Sequence, residues 1–144
     1  VRLFTSRYAA RKLILASGAA PIRTSLGQPK WYLGYDLAGS CRLLMPTYPM
    51  LQMELAEYER VYRKRLDQFG VEKIREALEE LSQQNGDRDL VLLCYEDLTK
   101  SGQWCHRRLF ASWFEEQTSE VVAELGETEG PSVQRPERTQ PTLF

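Results

Sequence analysis

"LVLLCYEDLTKSGQWCHRRLF", Leu90 to Phe110, joins a continuous apolar run to two of the three cysteines, the single histidine and an Arg pair. The run "DLVLLCY" is short and unbroken, the pattern of a central strand covered on both faces. A strand of that kind needs parallel neighbours and covering helices. The reading outward from it therefore starts from an α/β fold.

Upstream, "VRLFTS" alternates apolar and polar side chains as a strand does, and "APIRTSLG" reads as a second strand closed by Gly27. Between them "RYAARKLILASGA" makes a short helix ending near Gly18, where glycine suits a helix C-terminus. Pro29, Gly34, Gly39, Pro46 and Pro49 punctuate the next stretch, which reads as a long irregular loop. From about Pro49 the period becomes helical: Leu51, Leu55, Tyr58, Tyr62 and Leu66 form one stripe, with Arg60, Arg63, Lys64 and Arg65 on other faces. Gly70 interrupts it. A second helix, Val71 to about Gln84, presents Val71, Ile74, Leu78 and Leu81, and Asn85-Gly86 ends it. A helix from about Gln103 to Gln117 and an edge strand in "SEVVAEL" complete the domain.

Strands separated by helices imply a small, mostly parallel sheet with flanking helices, a Rossmann-like three-layer arrangement over residues 1–126. Ligands then belong at the carboxyl ends of the strands: Thr5 to Tyr8, Ser25 to Gly27, and Cys94 to Glu96. Beyond Gly126, "ETEGPSVQRPERTQPTLF" is polar with three prolines and cannot build a core, so 127–144 is expected to be a disordered tail.

At the end of the central strand Cys94 and Glu96 leave the same side of the pleat. The loop "DLTKSGQ" then leads into a helix whose start holds Cys105, His106, Arg107 and Arg108. A helix N-terminus favours an anion and lowers a thiol's pKa. His106, Leu109, Phe110 and Trp113 share a face that should pack on the sheet, so the histidine is expected to point inward. Its pKa near neutrality suits general acid or base work, with Glu96 orienting it, while Arg107 or Arg108 could clamp a phosphate or carboxylate. Three readings stay open: a catalytic site using Cys94, Glu96, Cys105 and His106; a metal site drawing on Cys94, Cys105, His106 and either Cys41 or Glu96; or small buried cysteines beside a hydrogen-bonded core histidine. The tight C-x2-C pairs of structural zinc sites are absent, so no residue is assigned as a metal ligand and the cofactor stays unnamed.

Charge is uneven along the chain. Residues 1–65 carry 11 Lys or Arg against four Asp or Glu, and 66–144 carry eight against 16, so +7 faces −8. A basic first part is compatible with phosphate or nucleic-acid contact, and equally with opposite charges that meet in the folded chain. No apolar run approaches the roughly 20 residues of a membrane span, the start lacks a signal peptide's apolar centre, and an odd cysteine count suits thiols rather than structural bridges. A cytoplasmic protein with no membrane partner is expected.

The segments "LFTSRYA", "PIRTSLGQP", "LMPTYPML", "EYERVYRKRL" and above all "LLCYED" followed by "CHRRL" resemble the domain-of-unknown-function family 488, in the same order from Arg2 to Phe114. The resemblance implies an α/β domain and a site built from Ser6, Arg7 and Tyr8 after the first strand, Arg23 in the second, Cys94 and Glu96 after the central strand, and Cys105, His106 and Arg107 at the helix start. Within it Ser6, Arg7, Tyr8, Arg23 and Arg107 would bind an anion, and Arg23, a charge on a half-buried strand, would take Glu96 as its partner. Tyr58 and Tyr62 match aromatic positions of the family's long helix. "RTSLG" departs from the pattern by lacking a second basic residue before Gly27. The family supplies no reaction.

The chain ends "QPTLF", which resembles the short peptide by which bacterial replication and repair proteins dock on the β sliding clamp. The amide of Gln140 would hydrogen-bond at a groove's mouth while Leu143 and Phe144 fill an apolar pocket. Pro141 departs from the commoner apolar second residue. Together these readings describe an enzyme acting on a nucleotide or nucleic-acid-linked substrate and recruited to the clamp; the alternative is a non-catalytic anion- or metal-binding adaptor.

Overall fold

The structure is a computed structural model and describes residues 1–126. Five strands form one sheet: β1 (Leu3–Arg7), β2 (Ala20–Arg23), β3 (Gly39–Ser40), β4 (Leu90–Cys94) and β5 (Ala123–Glu124). Their order is β3-β2-β4-β1-β5, and every pairing is parallel. The apolar run lies at the centre: all five residues of β4 are buried, and β1 and β2 flank it in register, Leu3 and Ala20 both against Leu90.

Burial on two faces explains why β4 does not alternate. Leu90 and Leu92 join Leu3, Ala20 and Ile22 in one core with helices α2 (Leu55–Phe69), α3 (Val71–Gln84) and α4 (His106–Thr118). Val91 and Leu93 point the other way, into a smaller core with Tyr8, Ala19 and Ile14 of helix α1 (Arg11–Ser17). Helices on both faces make the three-layer α/β domain that the pattern predicts. Truncating Leu92 to Ala would open a cavity at the middle layer at a cost of about 2–5 kcal/mol.

The helical stripe is as expected from Tyr58 onward. Tyr58, Tyr62 and Leu66 are buried, but Leu51 is exposed and lies before the helix, in a 3-10 turn over Tyr48–Gln52. The stretch read as an irregular loop also contains β3 and a 3-10 turn over Arg42–Leu44. Two-residue strands and single turns are too short to carry a hydrophobic period. The hydroxyl of Tyr62 donates to the Leu44 carbonyl at 2.7 Å and ties that turn to α2.

Opposite charges from the two parts of the sequence meet. Arg63 pairs with Glu116 at 2.8 Å, joining α2 to α4, and Arg7 pairs with Asp97 at 3.7 Å. Among the described residues no helix is long and apolar enough to cross a membrane. The tail and its terminal peptide lie outside the described residues.

Candidate functional site

The carboxyl end of β4 delivers Cys94 onto the face that α4 covers, because Cys94 follows Leu90 and Leu92 in the pleat. The chain then loops out through Gly102, whose φ of 80° places it in the left-handed region, and returns at Cys105, the N-cap of α4. His106 opens that helix and is buried with Leu109, Phe110 and Trp113 on the inward face. Strand end and helix start thereby converge. Cys94, Glu96, Cys105 and His106 all border one cavity of about 450 Å³.

The sulfurs of Cys94 and Cys105 are joined as a disulfide, where the spacing reads them as separate thiols. Their Cα atoms stand 7.4 Å apart, wider than the roughly 4.4–6.8 Å usual for a disulfide. Cys41, the remaining cysteine, is buried and free, and burial pushes its thiol up to about 11. It does not belong to the cluster: the ligand atoms within 4.8 Å of one another are those of Cys94, Cys105 and His106.

His106 is held by Thr24, the residue that follows β2. Its Nε2–H donates to the Thr24 carbonyl at 2.8 Å, so in the neutral ring Nδ1 keeps its lone pair, 3.8 Å from Cys105 Sγ. Burial, and less strongly the Arg107 charge, bring its pKa down to about 4 against the opposing pull of the Thr24 bond. At neutral pH this imidazole is a lone-pair donor and not an acid.

Arg107 lies beneath the cluster, fully buried. Nη1 donates to Cys94 Sγ at 3.1 Å, Nη2 to the Glu96 carbonyl at 2.9 Å, and Nε and Nη2 to the Glu124 carboxylate at 3.0 and 2.8 Å. The guanidinium thus faces the protein's own groups. Glu96 sends its carboxylate to the sulfur instead, 3.5 Å from Cys94 Sγ.

The other expected residues lie around the cavity without lining it. Ser6, in register with Leu93, and Tyr8, packed with Val91 and Leu93 in the smaller core, sit on the opposite face of the sheet. Tyr8 bonds Ser25 at 2.7 Å and packs its ring 4.9 Å from Tyr95, supporting the wall from behind. Arg7 pairs with Asp97. Arg23 does not take Glu96 as its partner: it donates to the Ser25 and Leu26 carbonyls, both at 3.0 Å, and shapes the loop that forms one wall.

That wall and its opposite were not legible in the sequence. Tyr58, Tyr95 and Trp104 line the cavity, with Met50, Met53 and Pro46 beside them, and Tyr58 meets Trp104 edge-on at 4.7 Å. Tyr58, read as core or as a family aromatic, is both buried and a wall. Glu124 is the other addition, a carboxylate from the edge strand that neutralises Arg107. Among the described residues, Glu96 is the one charged side chain in the cavity lining.

No family model, curated protein or solved structure matches the chain. The geometry itself defines a pocket with ring-bearing walls and a floor of two sulfurs, a neutral imidazole and a carboxylate, able to bind a small ligand or a soft metal.

Proposed function

We propose that the cavity takes the planar base of a nucleotide or nucleic-acid-linked substrate and that the chemistry occurs at the Cys94, Cys105 and His106 floor. The observation carrying this reading is the lining: the aromatic residues Tyr58, Tyr95 and Trp104 border a cavity of about 450 Å³, within the roughly 300–1,000 Å³ of small-molecule sites. Stacking on such rings is tolerant of base identity, and Glu96 adds an acceptor for an exocyclic amine. With no Arg or Lys among the described residues of the lining, the base enters and the phosphates stay outside. The resemblance to family 488 and the clamp-like terminal peptide belong to the same proposal: the tail would bring the domain to nucleic acid, consistent with a base-linked substrate.

The test is equilibrium binding of nucleosides and of the matching mononucleotides to the full chain, followed by tryptophan fluorescence. Trp104→Ala should weaken both ligands by roughly 5- to 150-fold, the equivalent of about 1–3 kcal/mol of stacking per base. Inorganic phosphate should not compete. Competition by phosphate alone, or binding unaffected by Trp104→Ala, would refute the reading.

A further inference from the structure

We propose that the reduced protein binds one Zn²⁺ through Cys94 Sγ, Cys105 Sγ and His106 Nδ1, leaving a fourth coordination position open to the cavity. The inference rests on the cluster alone and not on the substrate class proposed above.

Three donors from two elements converge within 4.8 Å. Two sulfurs and an imidazole select a soft or borderline ion; magnesium and calcium prefer several oxygen ligands, and beside these donors the floor offers one carboxylate, Glu96. The surroundings already have the form that metal ligands need. A ligating histidine gives its second ring N–H to a carbonyl or carboxylate, which fixes the tautomer and aims the other nitrogen. His106 does this with Thr24 at 2.8 Å, and the remaining nitrogen lies on the sulfur side. Arg107 adds an N–H bond to Cys94 Sγ at 3.1 Å, which stabilises a thiolate, while Glu124 balances the guanidinium's own charge.

The backbone leaves room for the ion. With Cα atoms 7.4 Å apart, the reduced side chains can splay around a cation without drawing β4 and α4 apart. All three residues border the cavity, which gives a fourth ligand its route to the ion. Three protein ligands with an open position is the arrangement of catalytic zinc, whereas structural sites close with four.

The disulfide and the metal form exclude each other. A trialkylphosphine supplies two electrons that split the Cys94–Cys105 bond; with water it leaves as the phosphine oxide, and two thiols form. Zinc then displaces both thiol protons on binding.

The experiment titrates the full chain, phosphine-reduced and metal-free, with Zn²⁺ against a chromophoric chelator, and with Co²⁺ by absorption. One equivalent of zinc and a thiolate-to-cobalt charge-transfer band are expected. Cys94→Ser, Cys105→Ser and His106→Ala should each lose the site, and Cys41→Ser should keep it. Because a variant can fail to fold, wild-type chain oxidised with diamide provides a control of unchanged sequence and should take up no metal. Added azide should shift the cobalt d–d bands if the fourth position is open. Folded, reduced wild type that binds no zinc, equal uptake by the oxidised chain, or loss of the site in Cys41→Ser would overturn the proposal; cobalt bands unmoved by azide would overturn the open position. Zinc uptake without nucleoside binding would sink only the substrate reading, and nucleoside binding without zinc only this one.

Discussion

Arg107 and Glu124 form a two-point ion pair, Nε to Oε1 at 3.0 Å and Nη2 to Oε2 at 2.8 Å, that joins α4 to the edge strand β5 directly beneath Cys94. The Arg107 side chain is wholly buried and Glu124 is 12% exposed. A buried cation stripped of its partner is costly, whereas an exposed pair contributes little. Glu124→Ala should therefore lower the unfolding free energy by about 3–5 kcal/mol. Glu116→Ala, which breaks the more exposed pair with Arg63, should cost no more than about 1 kcal/mol. Urea unfolding of the two variants side by side makes the comparison; similar losses would mean that the buried pair carries no special weight.

The alkaline limb of stability follows from burial. Cys41 is pushed up from 9.0 to about 11 by burial, Tyr35 to about 12, and Tyr8, Tyr58 and Tyr62 are raised in the same direction by the same cause. These groups keep their protons in the folded chain after the unfolded chain has released them. Their contribution is complete below pH 9 and is lost as pH rises through the folded values. Cys41 alone accounts for roughly 3 kcal/mol across that window. Thermal melts of reduced protein should hold a level midpoint from pH 7 to about 9 and fall steeply above it, with a shallower fall in Cys41→Ala. At pH 8 Cys41 should also resist alkylation in the folded chain; rapid labelling there would contradict its burial.

The central strand and the inward face of α4 were legible because burial writes long, regular patterns: five apolar residues in a row for β4, and a helical period through His106, Leu109, Phe110 and Trp113. The same reasoning placed Cys94, Glu96, Cys105 and His106 together, since a strand end and a helix start joined by one loop must approach. Arg23 misled it. The expectation of an Arg23–Glu96 pair assumed that a charge in a strand seeks an opposite charge, but two backbone carbonyls in its own loop satisfy the guanidinium. Glu124 escaped notice because a two-residue edge strand has no period, and its pairing with Arg107 spans a fold that spacing does not report. Trp104 and Tyr95 escaped for a related reason: loop aromatics have no face until the loop is placed.

Arg23 can be tested as the support of a wall. Its donors hold the carbonyls of Ser25 and Leu26, which together with Gly27 border the cavity. Arg23→Met keeps the length of the side chain and leaves those carbonyls without the guanidinium. We expect a loss of about 1–3 kcal/mol in stability. Faster amide exchange confined to Thr24 through Gly27 should accompany it, because the loop loses a tether while the sheet keeps its ladder. Nucleoside affinity should fall with it. Unchanged exchange in that loop would show that the guanidinium does not position the wall.

The terminal peptide makes its own prediction, separable from the pocket. If Gln140, Leu143 and Phe144 dock as the pattern requires, binding to purified β sliding clamp should be abolished by deleting 140–144 and reduced strongly by Leu143→Ala with Phe144→Ala, since the apolar pair supplies most of the buried area. Gln140→Ala should weaken binding less, by about 0.5–1.5 kcal/mol, the net value of one hydrogen bond. All three changes lie outside residues 1–126, which hold the cavity and the cluster, so zinc uptake and nucleoside binding should be unaffected. Surface plasmon resonance on immobilised clamp measures the series. Equal binding by the full chain and the chain ending at residue 139 would remove the tail from the proposal, and a basic-surface contact would then show itself by a steep fall in binding with salt.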